Sequence, residues 1–272
     1  DTYDVPRLVF VNKLDRIGSD FFRVVESIRS KLGANAVPAQ VPIGSEKEFD
    51  GVVDLIERRA LRFDPQSLGE KVFDEEIPGD LEDTVAEYRE KLIEAAAEFD
   101  DELMEAYLEG RDIEGDRVRA AIRVGTLAGK LVPVFAGAAL RNQGVQPLMD
   151  AVCHYLPAPG DLETVRGTNP HTGKEVIRKL IVEEPVCALA FKTVADSHGD
   201  LVYIRIYSGR LKSGTQVLNS RTGKKDRAQK LYLMHANHRE QIDEAVAGSI
   251  LAVVGFRHTS TGDTISDPSS GI

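Results

Sequence analysis

Leu8-Val9-Phe10-Val11-Asn12-Lys13-Leu14-Asp15 is the stretch on which the reading of this chain turns. Four apolar residues in a row, placed just after Pro6, predict a short buried strand over 6–11. A loop follows. Then comes a helix, with Ser19 as its expected N-cap and Gly33 as its stop. Phe22, Val25, Ile28 and Leu32 recur along it at helical spacing. Strand, loop and helix in that order make half of a βαβ unit, so the chain opens as α/β. Ligands of open α/β sheets bind at the carboxyl ends of the strands, which is where Asn12-Lys13-Leu14-Asp15 falls. Guanine presents two adjacent donors, N1–H and the exocyclic amine, and one carboxylate accepts both; adenine has no such pair. Asp15 is the expected reader, Asn12 offers its amide to the base edge and ties the loop, and the stem of Lys13 covers the flat base.

A second strand end completes this pattern. Leu131-Val132-Pro133-Val134-Phe135 reads as another buried strand and runs into Ala136-Gly137-Ala138-Ala139-Leu140, whose small residues let a backbone N–H approach the guanine O6. A helix over 145–156 follows, with Val145, Leu148, Met149, Val152 and Leu156 as its expected buried side.

Residues 36–130, lying between these strands, have a different texture. Segments 38–44 and 51–63 read as short strands, 80–108 as one long amphipathic helix and 116–127 as a second. The long helix carries the stripe Leu81, Val85, Tyr88, Leu92, Ala95, Phe99, Leu103, Tyr107. The block holds 25 acidic and 12 basic residues and is expected to be an acidic α+β insertion. Pro157-Ala158-Pro159-Gly160 ends the α/β part, and 158–184 reads as a linker. From 185 to 272 short strands alternate with glycine turns, the pattern of a β-barrel.

Composition narrows the classes. The 272 residues are 42% hydrophobic and 29% charged, an ordinary globular balance, and no apolar run is long enough to span a bilayer. Two cysteines, Cys153 and Cys187, make neither a disulfide framework nor a zinc site; both are expected in the core of a protein in a reducing compartment. His235 and His238 lack a third metal ligand. The net charge of −10 would argue against nucleic acid, but 205–239 holds nine basic residues against Asp226 alone. That segment suits either a phosphate backbone or a solvated barrel face.

Val5-Pro6-Arg7 through Asn12-Lys13-Leu14-Asp15-Arg16 resembles the fourth nucleotide motif of the translational GTPases, in the version of bacterial-type elongation factor G. The likeness continues through Pro42-Ile43-Gly44, Gly51-Val52-Val53-Asp54-Leu55, Ile93-Glu94-Ala95-Ala96-Ala97-Glu98 and Asn142-Gln143-Gly144-Val145-Gln146-Pro147-Leu148. Tyr207-Ser208-Gly209, Met234-His235-Ala236-Asn237-His238-Arg239-Glu240 and Thr261-Gly262-Asp263-Thr264 extend it to the end of the chain. The resemblance implies an α/β P-loop GTPase half-domain (1–35 and 131–157) with an α+β insert (36–130), a linker (158–184) and an all-β barrel domain II (185–272). It implies a cytoplasmic, monomeric factor, not bound to a membrane, that couples GTP hydrolysis to movement of tRNA and mRNA. GTP or GDP with Mg²⁺ would be its cofactor, small-subunit RNA the partner of the barrel, and the large-subunit stalk protein that of the acidic insert. Asn12, Lys13, Asp15, Ala138, Ala139 and Leu140 would hold the base.

Two departures qualify the likeness. The fifth motif of the family has Ser-Ala where this chain has Ala138-Ala139, so a hydroxyl that braces the Asn12–Asp15 loop is missing and a less rigid pocket is expected. The chain also contains no phosphate loop of the form GxxxxGK[ST]. Gly167-Thr168-Asn169-Pro170-His171-Thr172-Gly173-Lys174-Glu175 has one residue too many between its glycines and Glu where Mg²⁺ needs a hydroxyl. Asp196-Ser197-His198-Gly199 fits a bare DxxG but falls after the other motifs. With no Met or signal segment before its first strand, the chain reads as an internal piece of a longer factor, inactive alone. A ribosome-protection or release factor, and a non-enzymatic ribosome- or RNA-binding module, remain the alternatives.

Overall fold

Three parallel strands organise the first unit, in the order β1 (Val9–Val11), β7 (Val132–Ala136), β2 (Ala36–Pro38). The computed structural model describes residues 5–195, 200–236 and 238–272. β7 is buried along its whole length and serves both faces of the sheet. Val134 and Ala136 pack with Phe21 and Val25 of helix α1 (Phe21–Leu32), whereas Phe135 points the other way, toward Ala151 and Tyr155 of helix α5 (Val145–Tyr155). The Phe135 and Tyr155 rings stack at 6.1 Å.

Helix ends follow capping chemistry with one shift from expectation. Asp20, not Ser19, caps α1 by accepting from the Arg23 N–H at 2.9 Å; the Ser19 hydroxyl donates instead to the Leu14 carbonyl at 2.8 Å. Gly33 closes the helix in the left-handed conformation. Leu32 lies exposed beyond the packed stripe. On α5 the buried side is Ala151 and Tyr155, while Met149, Val152 and Cys153 are exposed. The assignment of Met149, Val152 and Cys153 to the core is therefore corrected: the stacking of Tyr155 on Phe135 sets the rotation of the helix.

Residues 39–130 continue from the sheet rather than standing apart from it. The four strands β3 (Gln40–Ile43), β4 (Gly51–Asp54), β5 (Arg59–Phe63) and β6 (Val72–Glu75) form an antiparallel meander. Three helices follow: α2 (Glu82–Ala97), α3 (Asp101–Leu108) and α4 (Gly115–Leu127). The single helix expected over 80–108 is thus two. Asp100 breaks it by taking an extended conformation and capping α3 through the Leu103 N–H at 2.9 Å, held by Arg117 at 2.7 Å. The boundary expected at residue 36 also moves, because Ala36–Pro38 pairs in register with Val132–Val134 as a strand of the parallel sheet. Leu92, Leu103 and Ile122 share one buried cluster with Phe135 and Tyr155.

The second unit runs from Ala158 to Ile272. Where a linker was expected, β8 (Thr164–Thr168) and β9 (Glu175–Lys179) form a hairpin, anchored by buried Arg178 donating to the carbonyls of Pro185 and Ser270. Beyond it stand β10 (Cys187–Val194), β11 (Leu201–Ser208), β12 (Arg210–Lys212), β13 (Gln216–Asn219), β14 (Lys225–Arg227), β15 (Lys230–His235), β16 (His238–Ile242), β17 (Glu244–Val246), β18 (Ile250–Val254) and β19 (Thr264–Ser266). Eight of them form one antiparallel sheet in the order β14-β13-β19-β10-β11-β18-β15-β16, and β12 pairs with β17. β11 alternates buried Val202, Ile204 and Ile206 with outward Tyr203, Arg205 and Tyr207. The inward residues of both sheets, Leu211 and Ala245 included, meet in one core, as a barrel-like wrap requires. Asp196-Ser197-His198-Gly199 and Asn237 lie outside the described residues.

Two buried carboxylates pin the segment 257–263 before β19. Asp226 accepts from the N–H groups of Arg257 and His258 and from the Thr259 hydroxyl. Asp263 accepts from Arg221 Nε, from Asn219 Nδ2 at 2.7 Å and from the Ser260 N–H at 2.8 Å. The Arg221 guanidinium, more than any other neighbour, holds the Asp263 carboxyl at about 2. That lies below the unfolded value of about 3.9, so this stabilisation is complete above about pH 4 and is lost as pH falls through about 2. Asp263→Asn is expected to cost about 1.5–3 kcal/mol at pH 7. In urea unfolding, the gap between wild type and variant should close between about pH 4 and pH 2; a constant gap would remove Asp263 as its source.

Candidate functional site

The carboxyl ends of β1 and β7 are adjacent because the two strands pair in parallel, Val11 opposite Ala136. Past that register the chains stay knitted. The Gly137 N–H donates to the Val11 carbonyl at 3.1 Å, and the Gly137 carbonyl accepts from the Leu14 N–H at 3.2 Å. Only glycine fits there, because a β-carbon would stand 2.4 Å from the Gln143 carbonyl oxygen and 2.6 Å from the Phe10 ring.

Asn12 links the two loops. Its side-chain oxygen accepts from the Lys13 N–H at 2.8 Å and from the Ala139 N–H at 2.9 Å, across 127 positions of sequence. Lys13 takes a left-handed conformation, φ +66°, which turns the loop back toward Asp15. The Ser19 hydroxyl fastens the Leu14 carbonyl behind it. On the other side, Ala138 and Gln143 form an isolated antiparallel bridge that closes a tight turn over 139–142.

The structure brings Asn12, Lys13, Asp15, Ala138, Ala139 and Leu140 onto these two neighbouring loops, with a change of roles. The Asn12 oxygen is engaged within the protein, and the Ala139 N–H is one of the donors it accepts. The N–H groups of Ala138, Arg141, Asn142 and Gln143 are also taken by protein carbonyls. Leu140 is 88% exposed, and among the described residues its N–H meets no carbonyl. The Asp15 carboxylate is 9% exposed and forms an ion pair with Arg141, Nε to Oδ2 3.1 Å. Arg141 was not among the residues the sequence singled out, and Ser19 was expected only as a helix cap. A hydroxyl four residues past a motif and an arginine within a turn carry no recognisable signal.

A cavity of about 420 Å³ lies elsewhere in this unit, lined by Asp54, Glu57, Arg119, Asp150, His154 and Tyr155. Burial raises the Asp54 carboxyl and the Tyr155 hydroxyl. Arg119 is paired internally with Glu57 and Asp116. None of the loop residues lines this cavity.

A carboxylate and a tight turn meet at adjacent parallel strand ends of an α/β unit, and an antiparallel barrel-like unit follows it in the chain. The chain belongs to the family of the elongation factor Tu GTP-binding domain, whose family model matches residues 1–158. The model of elongation factor Tu domain 2 matches residues 199–266. The pairing of the two domains is that of the translational GTPases. The chain is also similar to a crystal structure of a protein from Thermus thermophilus, at 28% identity and a TM-score of 0.75 over 96% of this chain. It spans 36% of that longer chain. The bounds of the match, 1–158, enclose the block 36–130 that was expected as an insertion within the domain. That block pairs with β7 through Ala36–Pro38 and shares a buried cluster with Phe135 and Tyr155.

Asn12→Ala removes one acceptor from two N–H groups. It is expected to cost about 0.5–1.5 kcal/mol and to speed amide exchange at Ala139 about fivefold. Unchanged exchange at Ala139 would mean the loops hold together without Asn12.

Proposed function

We propose that this chain belongs to a ribosome-associated factor of the elongation factor G type, and that the two loops read the guanine of GTP or GDP. The observation that carries this reading is the double acceptance by Asn12, which ties the loop of Asp15 to the turn that bears Leu140. The donor set fits the base: the Asp15 carboxylate complements N1–H and the exocyclic amine, the Leu140 N–H complements O6, and the Lys13 stem covers the ring face. Adenine would meet a carboxylate with no donors to offer it.

In such a factor GTP hydrolysis moves tRNA and mRNA on the ribosome. Phosphoryl transfer needs a phosphate cradle, Mg²⁺ and a positioned water. The 272 residues contain no GxxxxGK[ST] string to build that cradle. The chain by itself therefore holds the nucleotide through its base and releases no phosphate. A few charge-assisted bonds set against the cost of association put that affinity near about 1 mM. Residues 39–130 serve as a subdomain inserted in the GTP-binding domain, whose acidic face meets the stalk protein of the large subunit. The factor works as a monomer in the cytoplasm.

Chemical-shift titrations of the chain with GDP and with ADP test the reading. GDP is expected to shift the amides of residues 13–16 and 139–141 with a dissociation constant of about 1 mM, and ADP to leave them in place; equal responses would overturn it. Asp15→Asn presents one acceptor and one donor, the complement of xanthine, whose edge has one N–H and one carbonyl. That variant should prefer the xanthine nucleotide, and a retained preference for GDP would remove Asp15 as the reader.

The barrel is proposed to meet small-subunit RNA. Its basic segment is weaker than its charge count, because Arg210 pairs with Glu244 and Arg221 with Asp263. Lys224, Lys225 and Lys230 are exposed. With about three phosphate contacts, log affinity for a small-subunit RNA should fall with log salt at a slope of about −2 to −3. A flat response would exclude phosphate contact by this surface.

A further inference from the structure

Asp15 poses a problem that its neighbourhood answers in an unexpected way. A carboxylate that is 9% exposed pays for burial unless a charge or a donor meets it. The partner is Arg141, from the turn that also presents Leu140. Guanine carries a guanidine within its ring, namely C2 with N1, N3 and the exocyclic amine. The edge that Asp15 is to read is therefore the same planar two-donor fork that an arginine side chain presents.

We propose that Arg141 competes with guanine for the Asp15 carboxylate, pairing with it until the base takes its place. This rests on the guanine reading above and adds a residue to it. The geometry favours displacement. The nearest approach is Nε to Oδ2 at 3.1 Å, and the Arg141 side chain is 53% exposed, so water meets its guanidinium once it swings away. Its backbone is independently held, with the Arg141 N–H on the Ala138 carbonyl at 2.9 Å, so the turn keeps its shape when the side chain leaves. Arg141 is thus a tuning residue for base affinity. It keeps Asp15 paired and sets the threshold that an incoming base must exceed.

Displacement and bracing predict opposite signs. A competitor lowers the affinity of every base that uses Asp15 by the same factor; a brace raises affinity, most of all for the base with two donors. The test is a chemical-shift titration of the wild-type chain, Arg141→Ala and Arg141→Lys with GDP, IDP and ADP. Arg141→Lys keeps the positive charge and removes the planar fork, which separates competition from long-range attraction. Both variants are expected to bind GDP and IDP about two- to fivefold more tightly than wild type, the range open to an ion pair with one half-exposed partner. The GDP-to-IDP ratio should not change.

Unchanged or weaker binding in both variants would overturn the proposal and leave the guanine reading intact, because the wild-type preference for GDP over ADP is measured in the same series. A gain in Arg141→Ala that is absent in Arg141→Lys would also overturn it, assigning the effect to charge alone. A wild-type chain that does not prefer GDP to ADP would remove the guanine reading itself, and the proposal with it.

Discussion

One amide oxygen carries much of what this protein can do. Asn12 accepts from its own loop and from a residue 127 positions away, and so joins the ends of β1 and β7 past the point where their ladder stops. In the proposed reading neither loop alone offers a complete base edge: Asp15 would supply acceptors and the turn at Leu140 a donor. The ladder gives proximity, Gly137 gives the close approach and Asn12 gives registration. An error of about 1 Å between acceptor and donor is enough to spoil such a site. The β7 strand behind it, buried along its full length between α1 and α5, keeps that geometry stiff.

The same electrostatic logic recurs in both units. Buried carboxylates are met by partners rather than left bare: Asp15 by Arg141, Asp226 by the turn amides and Thr259, Asp263 by Arg221 and Asn219. Asp226 and Asp263 are saturated within the fold, and burial opposes their ionisation less than the hydrogen bonds favour it. Asp15 has a single half-exposed arginine. A buried carboxylate with a replaceable partner is suited to exchange one cationic or two-donor group for another, whereas a saturated one can only hold a loop.

Much of this was legible in the residues. The run Leu8–Val11 ending in Asn12-Lys13-Leu14-Asp15 showed a buried strand with polar chemistry at its carboxyl end, and the glycine-spaced strands after 185 showed an antiparallel unit. Other features depended on tertiary packing that no local pattern encodes. The apolar stripe of 80–108 runs without interruption across Asp100, so only the Arg117 contact and the extended backbone reveal the break. Met149 and Val152 fit a helical stripe as well as Ala151 and Tyr155 do; the Phe135 ring decides which side is buried. The hairpin at 164–179 hides in a polar stretch because its anchor is a buried arginine, a residue type that usually signals surface. Asn12 was read as offering its amide to the base and tying its loop, yet nothing in the sequence says that its oxygen reaches a residue 127 positions away.

The most direct measurement is a crystal structure of the chain grown with GMP at a concentration above its dissociation constant. Guanine reading by these loops predicts density for the base between Asp15 and the Leu140 N–H, with N1 and the exocyclic amine on the carboxylate and O6 on the backbone donor. A base bound elsewhere, or the Asp15 carboxylate still paired with Arg141 beside a bound nucleotide that it does not touch, would contradict it.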